Sequence, residues 1–138
     1  MLIEPGTPMM KVIPPRLVEP YLTGQRSVIA GYIYRARDCS FTEPAGYYAG
    51  LALGYQGSDF SPGLTDLYLL RWAALDMSAA LVPPPSPGTG EVVSTVPEFF
   101  TLPVPIPVGA EIHLLTGDGE EFVARYDGQV WLRPLRGV

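Results

Sequence analysis

The 138-residue sequence predicts an α+β fold dominated by β-structure. The expected form is a partly closed antiparallel sheet of about six or seven strands with one short helix. Three observations lead there. Ala110 to Thr116, Glu120 to Tyr126 and Gln129 to Leu135 are strand-like runs separated by two Asp-Gly turns, the signature of a C-terminal three-stranded meander. Ser27 to Arg35 is rich in β-branched and aromatic residues. Finally, 31 residues are Gly or Pro, near the level of a disordered chain, yet 47% of the chain is apolar, so these residues must punctuate a folded sheet.

Along the chain, residues 1–27 form a Pro-rich lead-in. Pro14-Pro15 and Pro20 exclude a long helix, and Thr23-Gly24 signals a turn. The lead-in is expected to be an arm, either laid on the body or partly mobile, with 28–138 as a single globular domain. In the strand Ser27 to Arg35, alternation puts Tyr32 and Tyr34 on one face and Ile33 and Arg35 on the other. Asp38-Cys39-Ser40 breaks it. Thr42-Glu43-Pro44 has the chemistry of a helix start, with Thr42 as N-cap. Tyr47, Tyr48 and Leu51 follow at helical spacing within Ala45 to Leu53, and Gly54 supplies a stop.

Tyr55 to Thr65 reads as a loop and Tyr68 to Trp72 as a strand; residues 82–90 are the clearest loop of the chain. Val92 to Thr95 and Phe99 to Leu102 are two further short strands, whereas Val104 to Val108 carries too much Pro for a central strand. In the meander, Ile112, Leu114, Phe122, Ala124, Val130 and Leu132 are expected on one buried face.

Charge narrows the function classes. Nine basic residues stand against 14 acidic ones, net −5, the wrong balance for nucleic acid. One cysteine, Cys39, excludes an internal disulfide. No apolar run approaches the ~20 residues that span a bilayer, and the N-terminus lacks an apolar signal core. The expectation is a protein that is cytoplasmic or exported without a cleavable signal peptide. One His, one Cys and no clustered acids give no metal site, and the Gly-rich phosphate-loop motifs are absent.

The residues singled out for chemistry are Tyr34-Arg35 at the end of a strand, Ser94-Thr95, and Glu98, with Glu111 as an alternate acid. A guanidinium holds pyrophosphate or ribose hydroxyls in fixed geometry. A carboxylate stabilises an oxocarbenium-like centre. The order strand–Arg, helix, strand, Ser/Thr, Glu resembles a small ADP-ribosyltransferase-like, NAD-cleaving domain. That resemblance implies NAD as substrate, with Tyr34, Arg35, Ser94 and Thr95 binding it and Glu98 or Glu111 at the ribosyl centre, without a metal and in a toxin-related setting. Val96 stands where arginine-modifying members carry a second acid. The run from Pro97 to Trp131 also looks like actinobacterial proteins of undefined function. By themselves the residues allow a plainer reading, in which Arg35 caps the strand end and pairs with Asp38.

Cys39 and His113 are a second candidate pair, nucleophile and base. Asp118, Glu120 and Glu121 form an acidic turn without calcium-loop spacing. Eight Tyr, with Tyr47, Tyr48, Tyr55 and Phe60 close in sequence, together with Pro-rich segments, suit a protein partner. The alternative function is therefore a non-catalytic interaction protein, an immunity-type partner or an assembly subunit.

Overall fold

A strand covered on both faces must be apolar on both, and Met9, Met10, Val12 and Ile13 satisfy this: all four are buried. They belong to β1 (Pro8–Ile13), which opens on a Pro where no ladder N–H is needed. In the computed structural model, which describes residues 3–76, 79–83 and 93–134, β1 lies inside the sheet. The remaining strands are β2 (Val28–Arg35), β3 (Asp66–Ala73), β4 (Ala80–Leu81), β5 (Phe99–Pro105), β6 (Glu111–Thr116), β7 (Gly119–Tyr126) and β8 (Trp131–Leu132). Their spatial order is β4-β5-β2-β1-β3-β6-β7-β8, and every pairing is antiparallel. The fold is α+β and β-dominated, as expected; among the described residues it has eight strands in one open sheet, against an expected six or seven in a partly closed one.

The lead-in expected to be an arm is a working part of that sheet. Pro14-Pro15 ends β1 and starts α1 (Pro15–Leu22), with Pro15 at the first helical position, where its missing N–H costs nothing. The helix is eight residues long, so Pro20 leaves only a short element, and Thr23 and Gly24 close it as anticipated. Tyr21 is fully buried, and its hydroxyl donates to Val28 O at 3.0 Å, tying α1 to the start of β2.

Two apolar clusters lie on opposite faces of the sheet. Met9, Ile13, Ile29, Ile33, Leu70, Trp72, Phe99, Ile112, Ala124 and Trp131 point to the first face, with Val18 and Tyr21 of α1. Met10, Val12, Tyr34, Leu67, Leu69 and Leu115 point to the second. There they are roofed by α2 (Pro44–Gly50) and the chain after it, through Tyr47, Leu51, Leu53 and Phe60. Phe41 explains the glycine that ends α2. A Cβ on Gly50 would collide with the Phe41 ring, which meets Tyr47 edge-on at 5.1 Å.

Several expectations need correction. The N-cap of α2 is Glu43 rather than Thr42, and the helix ends at Gly50, four residues before Gly54. The left-handed residue past its end is Ala52, at φ 54°, and the Leu53 N–H reaches back to Tyr48 O at 3.0 Å. Among the described residues there are two α-helices, not one. Val93 to Thr95 is not a strand; Val92 and residues 84–90 of the expected loop lie outside the described residues. In the meander, Phe122, Val130 and Leu132 are exposed while Trp131 is buried. For Phe122 the reason is a register shift between Ile112 and His113, which sets it opposite His113; at the end of the meander it is the pairing of Tyr126 with Trp131, which puts Trp131 on the face of Ala124 and Leu132 on that of Arg125. Pro-rich Val104-Pro105 does pair with β2, but only on that side, since β4 reaches no further than Phe99 and Phe100. No helix among the described residues is long and apolar enough to cross a membrane.

Candidate functional site

Strand alternation separates the two residues on which the NAD reading rests. Tyr34 packs into the second-face cluster and its hydroxyl donates to Glu98 Oε2 at 2.7 Å. Arg35, one residue on, turns to the other side. Its guanidinium lies 5.5 Å from the centre of the Phe99 ring, a first-face residue, and its Nε donates to Asp38 Oδ2 at 2.7 Å. The pairing of Arg35 with Asp38 at the strand end is the plainer reading of the sequence. Arg35 is 7% exposed, and strand alternation sets its side chain on the face opposite that of Tyr34, to which Glu98 is bonded.

Ser94 and Thr95 are likewise engaged in the fold. The Thr95 N–H and hydroxyl donate to Gly50 O at 2.7 and 2.9 Å, and the Ser94 hydroxyl donates to Val96 O at 2.8 Å. They satisfy a carbonyl at the C-terminal end of α2, which would otherwise lack a partner. Glu111 is elsewhere: it lies in β6, opposite Arg71 of β3 and Arg125 of β7. The structure thus joins Tyr34 to Glu98, and separates both from Arg35 and from Glu111.

Around Glu111 the second face carries a polar network. Arg71 donates to Glu120 Oε1 at 2.8 Å and to the Tyr47 hydroxyl. Glu111 Oε1 is 2.9 Å from His113 Nε2, while His113 Nδ1 lies 3.7 Å from Glu120. Burial works against the charge on Arg71, but the hydrogen bond and charge of Glu120 outweigh it and hold its pKa above the usual value. Burial raises the pKa of Tyr47, and raises that of Tyr34 further still, with Glu98 adding to the second shift.

For the Cys39–His113 pair, His113 faces Glu111 and the thiol is held in its neutral form. Burial, then the Asp38 carboxylate, push Cys39 up to about 11, so it is a neutral thiol at physiological pH rather than a nucleophile. Among the described residues, no group of three or more His, Cys, Asp and Glu side chains is placed to hold a metal ion.

Sequence reasoning missed two features. One is an open concavity of about 250 Å³ at one end of the sheet, bordered by Arg71 and Glu111 and lined by Met9, Trp72 and the residues Pro8, Ala36, Ala73 and Gly109. Its contributors come from β1, β3, β6 and the turn after β2, so no local pattern reveals it. The other is a pair of exposed rings, Tyr32 (53% exposed) and Phe100 (42%), meeting edge-to-face at 5.6 Å. The alternation of β2 did mark Tyr32 as sharing the face of Tyr34, but that no described element covers it there was not legible. Comparisons with protein-family models, with curated proteins and with solved structures return no match to this chain.

Proposed function

We propose that this protein is a non-catalytic assembly subunit that pairs with a second copy of itself through the β2–β5 part of the second sheet face. The observation that carries the reading is the exposed Tyr32–Phe100 ring pair, on a stretch of sheet that α2 does not roof. Val28 to Tyr34, Ala80-Leu81 and Phe99 to Pro105 contain no charged residue. Each copy carries a net charge of −5, so self-association is least opposed where acids are absent. An uncharged patch is also its own complement across a two-fold axis. A stable interface needs about 800 Å² per partner, which draws in the neighbouring Leu102, 74% exposed. Aromatic rings at the centre of such a contact supply much of its energy.

Sedimentation velocity over a concentration series tests this. The expected result is a dimer that the double variant Tyr32→Ser/Phe100→Ser converts to monomer with an unchanged far-ultraviolet spectrum. A wild-type chain that stays monomeric throughout overturns the reading. Nicotinamide release from NAD that is lost in Glu98→Ala would replace it with the enzymatic one. The turn of Arg35 away from Glu98 speaks against that outcome.

A further inference from the structure

Of the nine basic residues in the chain, one is a lysine, Lys11, and the rest are arginines. A guanidinium stays charged at any physiological pH, whereas an amine can lose its proton and become a nucleophile. Strand alternation sets Lys11 on the first face of the sheet, between Met9 and Ile13. The pairing of β1 with β2 has ended at Met10 and Tyr34, and the Lys11 amine enters the gap and donates to Tyr32 O at 3.1 Å. Among the described residues that is its one hydrogen bond, and no carboxylate pairs with it.

The surroundings favour first a neutral amine and then an anion built on it. Burial, then the Arg26 guanidinium, lower the pKa of Lys11 to about 8, so at that pH about half of the amines carry a lone pair. Gly31 leaves room beside it. A Cβ on Gly31 would stand 3.5 Å from Nζ; chain neighbours aside, no other heavy atom of the described residues lies within 4 Å of that point. Gly31 is at φ 88° and follows the register shift of β2 against β5, so the backbone itself keeps a side chain out of this space. Arg26 is held in place. Its Nε donates to the Tyr21 hydroxyl at 3.1 Å, and its guanidinium lies 5.5 Å from the centre of the Tyr21 ring. The two terminal nitrogens bond to no described residue, and the charge is felt at the Lys11 amine.

We propose that Lys11 is a site of reversible carbamate formation with carbon dioxide. The Nζ lone pair attacks the carbon of CO2, one C–O π pair moves onto oxygen, and one N–H proton leaves to water. No leaving group, oxidant or cofactor takes part. The carbamate keeps one N–H, which continues to donate to Tyr32 O. A cation near Arg26 becomes an anion near it, so repulsion turns into attraction. The adduct adds three heavy atoms, a size suited to the place of one missing side chain. An acetyl group is as small but brings no charge for Arg26 to meet. The site is on the first face, away from the exposed rings of the second, and does not rest on the assembly reading.

The test uses the full chain in ¹³C-labelled bicarbonate at about pH 8. A ¹³C carbamate resonance is expected, with an occupancy more than about tenfold that of Nα-acetyl-lysine amide, whose ordinary amine is almost wholly protonated there. Trapping with triethyloxonium and peptide mass spectrometry should place the group on Lys11. Lys11→Met should abolish the resonance. Arg26→Gln should lower its occupancy about fivefold or more, and Arg26→Lys, which restores the charge, should recover most of it. Occupancy no higher than that of the small amine overturns the proposal. So does a trapped group found only on the N-terminal amine, a resonance that survives in Lys11→Met, or undiminished occupancy in Arg26→Gln.

Discussion

The two ends of the second sheet face are built to opposite rules. Toward β4, β5 and β2 the strands carry no charge over Val28 to Tyr34 and Phe99 to Pro105, and large rings stand exposed. Toward β3, β6 and β7 the same face carries Arg71, Glu111, His113, Glu120 and Arg125 beside the buried Leu67, Leu69 and Leu115. Between them, α2 and the chain after it roof the centre. The difference teaches where water has been left: bare apolar surface at one end, a charged hollow at the other. A contact built on apolar area suits a macromolecular partner.

The sharpest way to probe the uncharged end is to cut two adjacent residues of β5. Phe99 is fully buried on the first face, so Phe99→Ala should cost about 4 kcal/mol by urea unfolding, through lost burial and the cavity left behind. Phe100 points the other way and is half-exposed, so Phe100→Ala should cost less than about 1 kcal/mol under conditions where the chain is monomeric. Equal losses would mean that the second face is packed there after all.

At the charged end, Arg71→Met should cost about 1.5 kcal/mol, because a part-buried Glu120 and the buried Tyr47 hydroxyl both lose a donor. Added salt should narrow this difference only slightly, since the pair is partly shielded from solvent. Complete loss of the difference in salt would reclassify the network as a surface feature.

The boundary between the ends is marked by Lys11, whose Nζ donates to Tyr32 O at 3.1 Å beside Gly31. The pairing of β1 with β2 stops at Met10 and Tyr34, so the amine bridges strands that have begun to part. Burial, then the Arg26 guanidinium, push this lysine down to about 8. Between about pH 8 and 10.5 the unfolded chain therefore binds the extra proton, and stability rises with pH through that window. Lys11→Met should remove the rise, a change of about 1 kcal/mol once solvent screening is allowed for. Unfolding of both proteins at the two ends of the window measures it, and parallel curves would place the amine in water.

Much of the fold was legible from local pattern. The alternation Tyr32/Tyr34 against Ile33/Arg35, the two Asp-Gly turns and the pairing of Arg35 with Asp38 all follow from residues within a few positions of each other. The failures have a common origin. Pro-rich 1–27 looked like an arm because Pro disfavours strands, yet here one Pro opens a strand and Pro14-Pro15 joins it to a helix. Ser94 and Thr95 looked available because nothing nearby in sequence claims their hydroxyls; the claimant, Gly50 O, is more than forty residues away.

By itself, then, the sequence determined an antiparallel, β-rich chain, the direction of each side chain within β2 and β6, and an uncharged region about Tyr32. Those are consequences of a two-residue period and of composition. Only the tertiary structure decided that β1 sits between β2 and β3, that α2 roofs the centre of one face, and that Arg35 and Glu98 part company. Strand neighbours are chosen by burial summed over the whole sheet, which no short window contains. The hollow beside Glu111 belongs to the same class, because four small residues become one surface only when four separate segments meet.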